Sequence, residues 1–132
     1  MSAATPVTAL ALSVSCVARD ELAVLTVTGE LDVATGPLLY VHLSNQLAHG
    51  RRHLVLDLGG VPFMDSSGLN VIIRAVRATR AEEGSLTLVG LTPQVDQLFR
   101  LTGIGLTQQV HPDVESAVAS LGLEMPHPVT ED

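Results

Sequence analysis

The residues best suited to chemistry sit together in FMDSSGL, residues 63 to 69, where the adjacent hydroxyls of Ser66 and Ser67 follow Asp65 and precede Gly68. Two uses are open for such a group. The polar side chains can cap a helix, or a serine can act as a nucleophile. A nucleophile needs a base within about 3 Å, usually histidine, and the histidines fall in the wrong places. His53 starts the run HLVLDL whose other end leads to the serines; roughly five strand residues at ~3.3 Å each separate them by about 16 Å. His49 belongs to the same far edge, His42 to the preceding helix, His111 to a later connection and His127 to the tail. Asp65 beside Ser66 is no catalytic pair on its own, so the sequence reads as that of a non-enzyme. His49 and His53 spell HxxxH, but Gly50 ends the helix between them, and zinc ligands at that spacing need one helical face. Gly59-Gly60 lacks the lysine and spacing of a phosphate loop. Neither a metal nor a cofactor is expected.

The elements around this group follow from hydrophobic spacing. Leu12, Val14, Cys16 and Ala18 alternate with more polar neighbours, and Leu22 to Thr28 is rich in β-branched residues. The intervening Arg19-Asp20-Glu21 makes the pair a β-hairpin. Thr35 is the expected N-cap of a helix with Pro37 in its first turn, Leu39, Leu43 and Leu47 inward and Gly50 as its stop. His53 to Leu58 is a covered mid-sheet strand. From Leu69 the spacing Leu69, Ile72, Ile73, Val76 turns one stripe of a helix to the sheet, which leaves Ser67, Asn70, Arg74 and Arg77 on the far face with Ser66 near its edge. Gly84 ends that helix. Leu86 to Leu91 is the next strand; Thr92-Pro93 opens a helix with Val95, Leu98 and Phe99 inward and Gly103 as its stop. A short strand from Leu106 to Val110 follows. A last helix begins at Pro112, carries Val114, Ala117, Val118 and Leu121 on one face and stops at Gly122. The result is an α/β domain of order ββαβαβαβα, a mixed and mostly parallel sheet entered through a hairpin, with right-handed crossovers. Sites in such sheets lie beyond the carboxyl ends of the strands, which is where residues 59 to 68 fall. Residues 10 to 122 form the expected domain, with flexible termini at 1 to 9 and 123 to 132.

Composition limits the function classes. A chain of 132 residues holds one domain. With 46% hydrophobic but only 2% aromatic residues, its core is built from Leu, Val, Ile and Ala. A net charge of -7 with seven basic residues argues against nucleic acid, whose phosphates require clustered Lys and Arg. Cys16 is the single cysteine and reads as a buried thiol. LALSVSCVA has no basic residue before it to make a signal peptide, and no stretch reaches the roughly 20 apolar residues that span a bilayer. The expectation is a soluble, cytoplasmic protein that binds neither nucleic acid nor membrane.

Three segments, GELDVAT (29 to 35), VLDLGGVPFMDSSGL (55 to 69) and PQVDQLFRLTGI (93 to 104), resemble the STAS domain, specifically the bacterial anti-sigma factor antagonists. The similarity runs over most of residues 10 to 121. It implies a single α/β unit that binds an anti-sigma factor with a histidine-kinase-like ATPase fold and so releases a sigma factor. It also implies a serine phosphorylated by that partner and cleared by a serine phosphatase. The family's phosphorylated hydroxyl directly follows the aspartate, which is Ser66 here; helical spacing by itself does not choose between Ser66 and Ser67. The implied docking surface comprises Asp32, Asp65, Ser66, Ser67, Gly68, Asn70 and Arg74. Other roles for these residues stay open. Asp65 either caps the helix or holds Ser66, Asp32 either forms a turn or docks a partner, and Arg74 and Arg77 are a solvated face or a site for an acidic partner. A STAS-like module that binds a small ligand or serves as a scaffold is the alternative function.

Overall fold

The computed structural model describes residues 12–103 and 109–126. Its elements are β1 (Ser13–Arg19), β2 (Leu22–Thr28), α1 (Gly36–Ala48), β3 (His53–Gly60), α2 (Ser66–Ala81), β4 (Ser85–Val89), α3 (Pro93–Thr102), β5 (Val110–His111) and α4 (Val114–Ser120). The order is the expected ββαβαβαβα. The five strands lie in one sheet in sequence order; β1 is antiparallel to β2, and every later pair is parallel. The hairpin turns on Asp20, whose φ of 55° is a left-handed conformation that a short polar side chain tolerates.

Alternate strand residues feed two cores, as a sheet with both faces covered demands. Leu25, Val27, Leu54, Leu56, Leu58, Leu86 and Leu88 pack with Leu39 and Leu43 of α1, Leu69 and Ile72 of α2, and Val95 and Phe99 of α3. On the other face Leu22, Val24, Val55 and Val89 pack with Ala117 and Val118 of α4. Among the described residues three helices therefore cover one face and one short helix the other. β3 occupies the middle of the sheet, so the chain leaving its carboxyl end emerges at the centre of the molecule.

Several local expectations are corrected. The buried stripe of α2 is Gly68, Leu69, Val71, Ile72, Ala75 and Thr79, while Ile73 and Val76 are half-buried. Ile73 and Val76 still pack against the core, so the inward stripe is wider than expected and takes in Val71, which lies close to Gly36: a Cβ there would be 3.1 Å from Val71 Cγ2. β3 runs two residues past Leu58, and β4 ends at Val89 because Gly90 turns left-handed with φ 69°. α4 starts at Val114 because Asp113, not Pro112, caps it. β5 is Val110–His111; residues 106 to 108 of the expected strand lie outside the described residues. Cys16 is exposed, since β1 is the edge strand and no described helix covers its outer rim. Partial burial still pushes the thiol above its ordinary pKa, against the opposing pull of Arg51, which keeps it a poor nucleophile. Of the expected tail, residues 123 to 126 are described, and Glu124 pairs with Arg19 at 2.9 Å; residues 127 to 132, His127 among them, lie outside the described residues. No described helix is long and apolar enough to cross a membrane.

Candidate functional site

The loop after β3 is built by its neighbours on both sides. Between Thr26 and Thr28 the β2–β3 register slips, pairing Thr26 with Asp57 but Thr28 with Gly60. Such a bulge bends the strand and re-aims the chain that follows. The loops after β2 and β3 then zip together: Gly29 N–H donates to Gly60 O (2.9 Å), Leu31 N–H to Phe63 O (3.0 Å) and Asp65 N–H to Leu31 O (3.2 Å). From the other side the Gln94 side chain accepts from Met64 N–H at 2.9 Å and donates to Met64 O at 3.0 Å, while Thr92 Oγ1 donates to Val61 O at 2.7 Å. Met64 and Leu31 are fully buried beneath this frame. Gly68 is required by it: a Cβ at this position would lie 2.7 Å from Leu31 O and 2.8 Å from Met64 Cγ.

On that frame α2 begins with Asp65 as its N-cap, its Oδ1 accepting from Ser67 N–H (2.9 Å) and Gly68 N–H (3.2 Å). The carboxylate thus does the capping, and the two hydroxyls are released from it. Neither is hydrogen-bonded to a described residue. Ser66 is exposed and Ser67 half-buried, the reverse of the order expected from helical spacing, which put Ser67 on the far face and Ser66 near its edge. Asn70, Arg74 and Arg77 continue the exposed face as expected, whereas Ser67 sits partly below it. Arg74 lies over the Tyr40 ring with its guanidinium carbon 4.0 Å from the centroid.

Asp32 closes its own loop. Its Oδ1 accepts from Ala34 N–H, Thr35 N–H and Thr35 Oγ1, and Thr35 Oγ1 also accepts from Asp32 N–H and donates to Glu30 O. Thr35 therefore holds the N-cap position without capping through its side chain, because its hydroxyl is used by the loop. Exposed apolar groups lie on the neighbouring segments: Phe63 (42% exposed) in the loop before Asp65, Val33 (74%) in the loop after β2, and Leu38 (41%) and Val41 (54%) on α1. Spacing rules did not single out Gln94, Phe63 or Val33; only their presence inside the three resembling segments hinted at them.

Other places offer less. His53 Nδ1 and Ser85 Oγ lie 3.0 Å apart at the opposite end of the strands, but no third described group orients the imidazole as a triad would require. Among the described residues no group of three His, Cys, Asp or Glu is placed to hold a metal. A cleft of about 530 Å³ opens between the hairpin turn and the end of α4, lined by Arg19, Asp20, Glu21, Leu22, Gly122, Leu123 and Glu124. It is at the far end of the sheet from Ser66, and its lining is charged where ligand sites are mostly apolar.

A model of the STAS domain matches residues 13–117. The anti-sigma-B factor antagonist of Staphylococcus aureus is 30% identical over 93 residues, 70% of this chain and 86% of that protein. The chain belongs to the STAS domain family of anti-sigma factor antagonists. The crystal structure of an anti-sigma factor antagonist from Mycobacterium paratuberculosis is similar with a TM-score of 0.77 and 26% identity, covering 85% of this chain and 95% of that one. The Bacillus cell fate determinant SpoIIAA, in its phosphorylated form, shares the fold at a TM-score of 0.66 and 22% identity, covering 84% of this chain and 99% of that one. The loop after β3 of this STAS domain is thus held at the sheet's carboxyl edge with Ser66 exposed.

Proposed function

We propose that this protein is an anti-sigma factor antagonist that binds a kinase-like anti-sigma factor through the surface around Ser66 and loses that affinity when Ser66 is phosphorylated. The observation that carries the reading is the division of labour at the start of α2. Asp65 takes the cap, so Ser66 presents an exposed hydroxyl with no described partner on a braced loop. A kinase needs such a hydroxyl in the open, and a docked partner needs such a loop to keep its shape. Asp65, Ser67, Gly68, Asn70 and Arg74 belong to the proposed interface, and Asp32 contributes by fixing the loop that carries Val33. The working unit is residues 10 to 122, acting in the cytoplasm without a cofactor, with a serine phosphatase to reset the switch.

The switch needs no change of fold. A phosphate of nearly two negative charges at a helix N-terminus meets the positive end of the dipole. Beyond the Asp65 cap, which already takes the Ser67 and Gly68 N–H groups, α2 has no acidic residue in its first turn, and in the free protein both charges stay solvated. The cost arises only when a partner covers the site and must desolvate the dianion beside Asp65 and its own carboxylates. About 4 kcal/mol there is a thousandfold in affinity.

The test combines phosphorylation and binding. Incubation with the cognate anti-sigma factor and ATP, followed by peptide mapping, is expected to place phosphate on Ser66. Ser66→Ala is expected to keep binding in calorimetric titration, and Ser66→Asp to weaken it, both with melting temperatures near wild type. Phosphate confined to another residue, or equal affinities for the two variants, sinks the reading.

A further inference from the structure

The α1–α2 layer is electrically unlike the rest of the chain. Its two helices contain three arginines, Arg74, Arg77 and Arg80, and no carboxylate, in a protein of net charge -7. Elsewhere the arginines of the described ion pairs are Arg19, Arg52 and Arg100, bound to Asp20, Glu124, Glu21 and Asp96. Arg74, Arg77 and Arg80 are exposed and make no ion pair with a described residue. Glu82 and Glu83 follow directly after the helix beside Arg80, so the uncompensated charge is concentrated at Arg74 and Arg77. Arg74 is also preorganised: stacking on Tyr40 fixes the guanidinium plane and leaves its N–H edge for a carboxylate. Beside Tyr40, Val41 is 54% exposed on α1.

We infer that Arg77, with Tyr40 and Val41, extends the proposed interface beyond Arg74 as a docking patch for a carboxylate-bearing surface of the same protein partner. This rests on the proposed function and adds to it a site that phosphate does not touch. Arg77 follows Ser66 by three helical turns, about 16 Å along the axis, beyond a Debye length at physiological salt. The patch and the switch should then act independently, since substitutions more than about 7 to 10 Å apart and without shared partners add. A protein with localised carboxylates fits better than an anionic polymer or bilayer. An extended anion meets the repulsion of the whole acidic chain, whereas a discrete carboxylate pair meets only the arginine face.

The test is a titration of the purified kinase-like anti-sigma factor against wild type, Arg77→Glu, Ser66→Asp, the double variant, and Arg100→Glu as an off-patch control, at low and high salt with thermal melts alongside. Arg77→Glu is expected to bind about tenfold more weakly at low salt, with the gap narrowing as salt rises. The double variant should lose the product of the two single factors, and Arg100→Glu should match wild type. Wild-type binding with no loss in Arg77→Glu, or a loss equalled by Arg100→Glu, overturns the patch and leaves the proposed function standing. No binding by wild type sinks both. Arginine-dependent sedimentation with phosphatidylserine vesicles would overturn the assignment to a protein partner.

Discussion

Two helices of this protein start in the same way and only one start is a site. α2 opens with Asp65-Ser66-Ser67-Gly68 and α4 with Asp113-Val114-Glu115-Ser116; in both an extended aspartate caps backbone N–H groups of the first turn. The difference lies outside the caps. The α2 start is gripped by the Leu31 backbone on one side and the Gln94 amide on the other, and roofs the buried Met64. The α4 start is exposed, carries Glu115 in its first turn and leads a helix of only 7 residues. A cap satisfies backbone donors anywhere. A hydroxyl becomes a candidate switch when its cap is supplied by another residue, its loop is held by other elements, and no carboxylate occupies the first turn.

The comparison breaks most sharply at the third helical position, Gly68 in α2 and Ser116 in α4. Gly68→Val forces two methyl groups and a Cβ into space held by Leu31 O and Met64. The expected loss is about 3 kcal/mol, or a fall in melting temperature on the order of 10 °C. Ser116→Val should shift the melt by no more than a few degrees, because that side chain is only half-buried on a short peripheral helix. Equal shifts in the two variants would mean that the α2 start is no more constrained than the other.

The brace comes next. Gln94→Leu keeps the side-chain volume but leaves Met64 N–H and Met64 O without their partners. Losing hydrogen bonds to half-buried backbone groups costs roughly 2 kcal/mol. Amide exchange of residues 63 to 68 should accelerate well beyond that of the α4 start, where no such brace exists. Uniform acceleration across both starts would assign Gln94 to general stability instead of to the loop.

These constraints explain which features were legible in the sequence. The order of elements, the hairpin and the carboxyl-edge loop were readable because they depend on local periodicity and turn chemistry. Ile73 and Val76 pack on the core as their spacing implies, but the burial of Val71 and Ala75 beside them is not readable from spacing, because Val71 packs against Gly36, thirty-five residues earlier. Thr35 reads as a cap from its type, yet its hydroxyl is taken by Asp32 and Glu30. A helical wheel puts Ser67 on the exposed face and Ser66 at its edge, and the order of access reverses where the loops close around the helix start. Gln94 reads as a plain surface residue of an amphipathic helix, and its amide finds Met64 only in three dimensions.

The smallest expected effect concerns the weaker partner of the comparison. The backbone N–H of Ser116, then its side chain and the nearby His111, hold the Asp113 carboxyl below its ordinary value of 3.8. A depressed folded pKa means that the capped form gains stability fully above pH 3.8 and loses it as pH falls through the lower folded value. The group is exposed, so the effect should be confined to the fraying of α4. A carbon-detected NMR titration of the Asp113 carboxyl is expected to give a midpoint below 3.8, with the Ser116 amide shift moving in step. Asp113→Asn should abolish the coupled amide movement while leaving the α2 start unchanged. A midpoint at or above the ordinary carboxylate value would show that this cap is not formed in solution. The two helix starts would then differ in local chemistry as well as in context.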